Sequence, residues 1–198
     1  EDLLKEFVDE DHIVIGTTED NGAVLGMGHV RRGGTGVTNV GMLVEDKEGF
    51  LPQLKEAFDQ CGFNVKIHEN IQTLIWDKLF TNVSLSALTG VLQVDMGYIA
   101  ANEYAWDLCC QLIHETVKTA AAAGLDFDEE KVREKVKNTS INNPKGCTSI
   151  RADLRDGRKT EVDTISGAVV RAAHKHGVEV PGHECIVRLV HAMEGRNK

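Results

Sequence analysis

The pattern of apolar and polar positions changes character once along the chain. Up to about residue 70, short β-branched or apolar runs bounded by glycine alternate with one helix-like segment, which is the signature of an α/β unit. Ile13 to Thr17 reads as a buried strand. Leu25 to Arg31 and Gly36 to Leu43, separated by Gly33-Gly34, read as the two arms of a hairpin. Glu48 to Cys61 is an amphipathic helix that stops near Gly62, and Asn64 to Ile67 returns as a last strand. From about Asn70 the period is helical and no further convincing strand occurs. The change predicts two domains, residues 1–69 and 70–198.

In the second part, Ile71 to Leu92 is apolar on more than one face, as expected of a helix crossing the middle of a helical domain. Asn102 can cap a helix in which Trp106, Cys110, Ile113, Val117 and Ala120 recur at three- or four-residue intervals until Gly124 stops it. Asp128, Glu129 and Glu130 open another short helix with carboxylates near its positive end. Asn142 to Gly146 is a loop by composition. Two further helices follow, one from about Lys159 to His176 and one after Pro181, from about His183 to Met193. The fold class predicted is α+β, an α/β segment followed by an all-α domain.

Composition narrows the function. With 198 residues, 41% of them hydrophobic, the chain can bury a sizeable core. No apolar run approaches the roughly 20 residues that span a bilayer, so a membrane partner is not expected. A formal charge of −9 repels phosphate backbones and argues against nucleic acid. The 5 cysteines are odd in number and form no CxxC pair, which predicts free thiols in a reducing cytoplasm, with no disulfide and no zinc. The opening residues lack both an initiator methionine and a secretory signal, and read as the middle of a longer protein.

Two stretches hold candidate chemistry. In Trp76 to Thr89, the polar residues Lys78, Asn82 and Ser86 recur every four positions and form one stripe on an otherwise apolar helix. A solvated outer face explains such spacing, and so does a ligand site. The second stretch runs from Ser149 to Asp163, where a loop serine precedes a helix whose first turns carry Glu161 and Asp163. Ordinary capping explains that arrangement as well. His114-Glu115 begins like a zinc-protease helix but has Lys118 where the second histidine must be, so no metal is expected.

Together the two stretches resemble the ketopantoate reductase family. Trp76-Asp77-Lys78-Leu79-Phe80-Thr81-Asn82 through Ser86, Leu88 and Thr89 is similar to its core-helix motif. Ser149, Asp153, Arg158, Thr160, Glu161, Val162 and Asp163 are similar to its second signature, and Val180-Pro181 to its approach to the last helix. Gly16-Thr17-Thr18 and the segment from Gly28 to Gly41 resemble the second half of its Rossmann domain, which makes residues 1–69 the C-terminal remnant of an NADP-binding domain. The resemblance implies an NADPH-dependent reduction of 2-dehydropantoate to pantoate in pantothenate synthesis.

By that resemblance Lys78 is the catalytic residue, Asn82, Ser86 and Ser149 bind the 2-keto acid, and Glu161 contacts the ribose beside the nicotinamide. The chemistry agrees. Hydride delivery to a keto acid leaves negative charge on the former carbonyl oxygen, which a positioned ammonium stabilises and protonates. Ser86 stands where the family often has asparagine, and Met96 lies near a position that relatives use for a further polar contact, so a related 2-keto or hydroxy acid is an alternative substrate. The glycine fingerprint for pyrophosphate is missing: its nearest match, Gly26-Met27-Gly28-His29-Val30-Arg31, ends in arginine and reads as a turn. The 198 residues alone are therefore expected to be inactive. A helical module without activity is the second alternative, and the apolar helical content is compatible with a homodimer.

Overall fold

The computed structural model of the protein describes residues 4–20, 22–33 and 36–195. The chain divides into two compact units, Glu1–Ile75 and Trp76–Lys198.

The first unit is built on a three-stranded sheet of order β1-β4-β5, from β1 (Val14–Thr18), β4 (Thr38–Met42) and β5 (Val65–Ile67). The β1 and β4 strands are antiparallel, with Val14 opposite Met42, while β4 and β5 are parallel, with Thr38 opposite Val65. A parallel pair needs a crossover. Helix α1 (Phe50–Gln60) supplies it, packing Leu51, Leu54 and Phe58 on Val40, Met42 and Val65. The Asp46 carboxylate starts α1 by accepting from the Phe50 and Leu51 amides, each at 2.8 Å, and those bonds hold its carboxyl below the usual range.

Among the described residues, the strands β2 (Gly22–Gly26) and β3 (His29–Arg32) pair only with each other, antiparallel. This corrects the expected hairpin. The residues from Gly36 to Leu43 do not pair with the Leu25–Arg31 stretch; they give β4, whose partners are β1 and β5. The reversal lies at Met27-Gly28, where Gly28 has a φ of +70° that suits a residue without Cβ. The turn reading of the Gly26–Arg31 segment is thus correct, and it is that turn which sends β3 back along β2. Gly34, half of the expected punctuation, falls outside the described residues.

The second unit is helical. Its elements are the part of α2 (Ile71–Thr81) from Trp76 onward, a π-turn (Asn82–Ser86), α3 (Ala87–Leu92), α4 (Met96–Ala101), α5 (Glu103–Ala122), α6 (Glu129–Asn142), α7 (Ser149–Arg155), α8 (Ser166–Lys175) and α9 (Pro181–Glu194). Its core joins Phe80, Val83, Leu85, Leu88, Ile99, Ile113, Val136, Ile150, Val169 and Val190, all nearly inaccessible. Phe80 meets Phe127 edge-on at 4.9 Å, a favourable aromatic geometry.

Local capping positions these helices. Asn102 accepts from the Ala105 amide to begin α5, and Asp128 accepts from the Glu130 and Lys131 amides to begin α6, which is longer than the short helix expected. The α9 N-terminus is held from another helix: the buried Glu115 carboxylate accepts from the Gly182 and His183 amides at 2.9 and 3.1 Å. A buried carboxylate on the otherwise unpaired first amides of a helix is well compensated. Among the described residues no helix is long and apolar enough to cross a membrane.

Candidate functional site

The segment that was expected to be one core helix is a helix interrupted in its middle. At Asn82–Ser86 the backbone widens to a π-turn, and the Ala87 N–H reaches back to the Asn82 carbonyl. Two hydroxyls, one inside the widened turn and one after it, bond back to the helix backbone. Ser84 Oγ donates to the Phe80 carbonyl at 2.6 Å, and Thr89 Oγ1 to the Leu85 carbonyl at 2.7 Å. Single π-turns of this kind concentrate at functional sites.

The π-turn coincides with the polar stripe. Lys78 is exposed on α2, Asn82 opens the π-turn half-buried, and Ser86 closes it at 4% exposure. The stripe therefore runs from the surface into the interior, and a purely solvated face is not what the chain builds. Ser86 Oγ has no hydrogen-bond partner among the described residues. A buried hydroxyl without a partner costs about 1–3 kcal/mol, and a ligand atom or water would offset that cost.

The second stretch meets the first here. Thr89 Oγ1 lies 2.7 Å from Thr148 Oγ1, the residue before Ser149. One residue beyond Thr89 and two beyond Thr148, Gly90 faces Ile150: a Cβ on Gly90 would sit 2.4 Å from Ile150 Cγ2. The missing side chain is what lets α3 and α7 approach. Ser149 is exposed and is the first residue of α7, not the loop residue expected. Thr148 holds the N-cap position, but its hydroxyl faces Thr89 and does not cap α7. The start of α7 is braced further by an ion pair between Arg151 and Asp95.

The expected helix from Lys159 onward is also corrected. Glu161 and Asp163 do not sit on the first turns of a helix: they lie in an irregular turn, and α8 begins only at Ser166. The reason is that the Thr160 hydroxyl and amide both go to Glu194 on α9, at 2.8 and 2.7 Å, which holds the chain away from a helical path. Glu161 is exposed, and no hydrogen bond among those described joins it to Asn82, Ser86 or Ser149. An exposed carboxylate with open acceptor positions fits the ribose hydroxyls of a nucleotide cofactor chemically.

Met96 opens α4, a helix the sequence did not suggest, and it is buried with its sulfur against the Asn143 amide group. It packs on the 143–146 loop and offers no polar contact to a pocket. Sequence reasoning placed Thr89 in the first motif without giving it a role, and it missed Thr148, whose only signal was its place beside Ser149, and Glu194 and His191, for which there was none.

For metals, Asp9, Asp11 and His12 are a group among the described residues whose ligand atoms lie within 4.8 Å of one another. All three are exposed, and His12 Nδ1 is already 2.8 Å from Asp11. Exposed neighbours of this kind need no ion. The five thiols are free; Cys61, Cys147 and Cys185 are exposed, while burial pushes the Cys109 thiol up to about 12 against a weaker opposing bond from Ser84.

Comparison with known proteins finds relatives of the chain. The family model described as "Ketopantoate reductase PanE/ApbA C terminal" matches residues 70–194. The protein of Streptococcus pyogenes serotype M6 named 2-dehydropantoate 2-reductase is 28% identical over 195 residues, which cover 98% of this chain and 64% of that one. The chain thus spans 64% of the length of this relative. Among solved structures, a ternary complex of D-mandelate dehydrogenase with NADH and anilino(oxo)acetate aligns at a TM-score of 0.85 and 27% identity, over 99% of this chain and 64% of that one. A putative 2-dehydropantoate 2-reductase from Enterococcus faecalis aligns at 0.81 and 26% identity, over 99% and 64%.

Proposed function

The chain belongs to the ketopantoate reductase family, and on that premise we propose that it serves the NADPH-dependent reduction of 2-dehydropantoate to pantoate. The observation that carries the reading is the stripe of Lys78, Asn82 and Ser86 that descends through a π-turn toward the start of α7.

Residues 1–69 are assigned to the end of a Rossmann-like NADP-binding domain, and residues 70–198 to the helical domain. The parallel β4-α1-β5 crossover supports the first assignment. The nicotinamide cofactor, when bound, supplies the hydride. Lys78 holds its ammonium where the keto oxygen gains charge, stabilises that oxygen and gives it a proton. Asn82, Ser86 and Ser149 orient the substrate's carboxylate and hydroxyl through uncharged polar groups. The unpartnered Ser86 hydroxyl is supporting detail, because a buried hydroxyl of this kind needs an acceptor or donor from outside. Glu161 accepts from the ribose. Activity requires a glycine-rich pyrophosphate loop, which these 198 residues do not contain.

The test is NADPH oxidation by the complete gene product with 2-dehydropantoate. Lys78→Ala should lower kcat by about 10²–10⁴-fold. Wild-type turnover in that variant would remove Lys78 from the reaction. A second reading, reduction of a bulkier 2-keto acid, is favoured by the shorter Ser86 in place of asparagine and by the likeness to D-mandelate dehydrogenase. Specificity constants for 2-dehydropantoate against an aromatic 2-keto acid, each with NADPH and NADH, decide between them. The odd number of cysteines and the lack of a CxxC pair support a reducing cytoplasm as the setting. Light scattering on the same preparation reads whether it is a homodimer.

A further inference from the structure

The turn that carries Glu161 has no regular structure of its own, yet it is tied to α9 on both sides of that residue. Before it, Glu194 Oε1 accepts from the Thr160 amide at 2.7 Å and from the Thr160 hydroxyl at 2.8 Å. After it, Asp163 Oδ1 lies 3.0 Å from His191 Nε2. The other ring nitrogen, His191 Nδ1, lies 2.9 Å from Glu194 Oε2. A loop is thereby closed: Thr160, Glu194, His191 and Asp163 bond in sequence around Glu161. From α8, Arg171 Nη1 donates to the Asp163 carbonyl at 3.0 Å and fixes the same end.

The order of charges in this loop has a consequence. Both ring nitrogens of His191 face carboxylates, and only the imidazolium can donate to both at once; the neutral ring donates to one and turns a lone pair on the other. Among the described residues, the charged groups facing His191 are Asp163 from the turn and Glu194 from its own helix, with Arg171 beyond Asp163. The two acids, Glu194 first, raise the proton affinity of the ring above its ordinary value. Burial works to raise the Glu194 carboxyl, but the Thr160 amide and His191 outweigh it and keep that group ionised.

We propose that Glu194 and His191 are positioning residues that clamp the Thr160–Asp163 turn and so set the place of the Glu161 carboxylate against the ribose of the cofactor. The proposal rests on the reading of Glu161 given above. Neither residue touches the reacting atoms. The clamp is closed with His191 protonated and loosens as pH rises past that ring's raised titration point. Cofactor affinity should then fall with rising pH, while the affinity for the keto acid follows a different course.

The experiment uses the complete gene product and reads KM for NADPH, KM for the keto acid and kcat between pH 6 and 9. Glu194→Ala should raise the cofactor KM on the order of tenfold with kcat and the keto-acid KM within about twofold. Glu194→Gln keeps one carbonyl oxygen for Thr160 and should recover part of the loss. His191→Gln should flatten the rise of cofactor KM with pH, and because that side chain is partly exposed, the variant provides the answer even where Glu194→Ala fails to fold. Glu161→Gln is measured alongside. A raised cofactor KM in Glu161→Gln with wild-type cofactor KM and pH profile in His191→Gln and a folded Glu194 variant overturns the clamp alone. An unchanged cofactor KM in Glu161→Gln overturns the ribose assignment, and the clamp with it.

Discussion

The hydroxyls of Thr89 and Thr148 lie 2.7 Å apart, and through this contact the two motif-bearing segments of the chain meet. Thr89 is fully buried and has a single proton to give. That proton goes to the Leu85 carbonyl at 2.7 Å, with the Ser86 carbonyl further off at 3.3 Å, so Thr148 is the donor in the threonine pair. One hydroxyl thus repairs the backbone beside the π-turn and receives the residue that precedes Ser149.

Thr89→Val keeps the shape of the side chain and removes both roles. The buried Leu85 carbonyl and the Thr148 hydroxyl lose their partner, and stability should fall by about 1–3 kcal/mol in urea titration. The keto-acid KM of the complete protein should rise as well, because Ser149 follows Thr148. Thr89→Ser should retain most of both quantities.

Gly90→Ala gains helix propensity worth about 1 kcal/mol but drives a Cβ to 2.4 Å from Ile150 Cγ2. That methyl belongs to a β-branched side chain with little freedom at χ1, so overpacking should win and cost about 1–3 kcal/mol net. Ile150→Leu lacks the Cγ2 methyl. The double variant should therefore be more stable than the sum of the two single changes, which a double-mutant cycle measures.

His183 sets an acid limit. It is fully buried, with Nε2 donating to the Leu112 carbonyl at 3.0 Å and Nδ1 without a partner among the described residues. Burial, opposed by that carbonyl, lowers its proton affinity in the folded state. The unfolded chain takes up its proton near the ordinary imidazole value of about 6.5. The contribution is therefore present above about 6.5 and is lost as pH falls from there through the lower folded value. His191 runs the other way, its contribution complete below about 6.5 and lost as pH rises through its raised value. Denaturant midpoints from pH 5 to 8 should fall on the acid side in wild type, and less steeply in His183→Gln.

Thiol labelling should separate the cysteines by burial. Cys61, Cys147 and Cys185 should react with an aromatic disulfide reagent at pH 8 in the folded protein. Cys109, pushed up to about 12, should react only on unfolding, with a rate that tracks the fraction unfolded.

What the sequence revealed and what it hid follow the range of the interactions involved. Asn102 and Asp128 were legible as helix starts because each bonds amides within three residues of itself. The helix containing Lys78, Asn82 and Ser86 was legible from periodicity, but not its π-turn, because the spacing of side chains does not reveal a change of backbone bonding. The partner of β4 was missed because Val14 and Met42 are brought together across the whole β2-β3 excursion. Glu194 lies 34 residues from the Thr160 it anchors, and nothing local to either residue announces the bond.

The π-turn has a last consequence for anyone who redesigns this protein. It holds one residue more than a regular turn, so every side chain after it is set back by about 100° of rotation relative to α2. The location of Thr89 and Gly90 against α7 is therefore a matter of phase and not of composition. Substitutions that returned Asn82–Ser86 to regular α-helical bonding with no residue removed would advance Gly90 by that angle and turn it away from Ile150. A sequence-similarity score would scarcely register the change, whereas the joint between the two motifs would be lost.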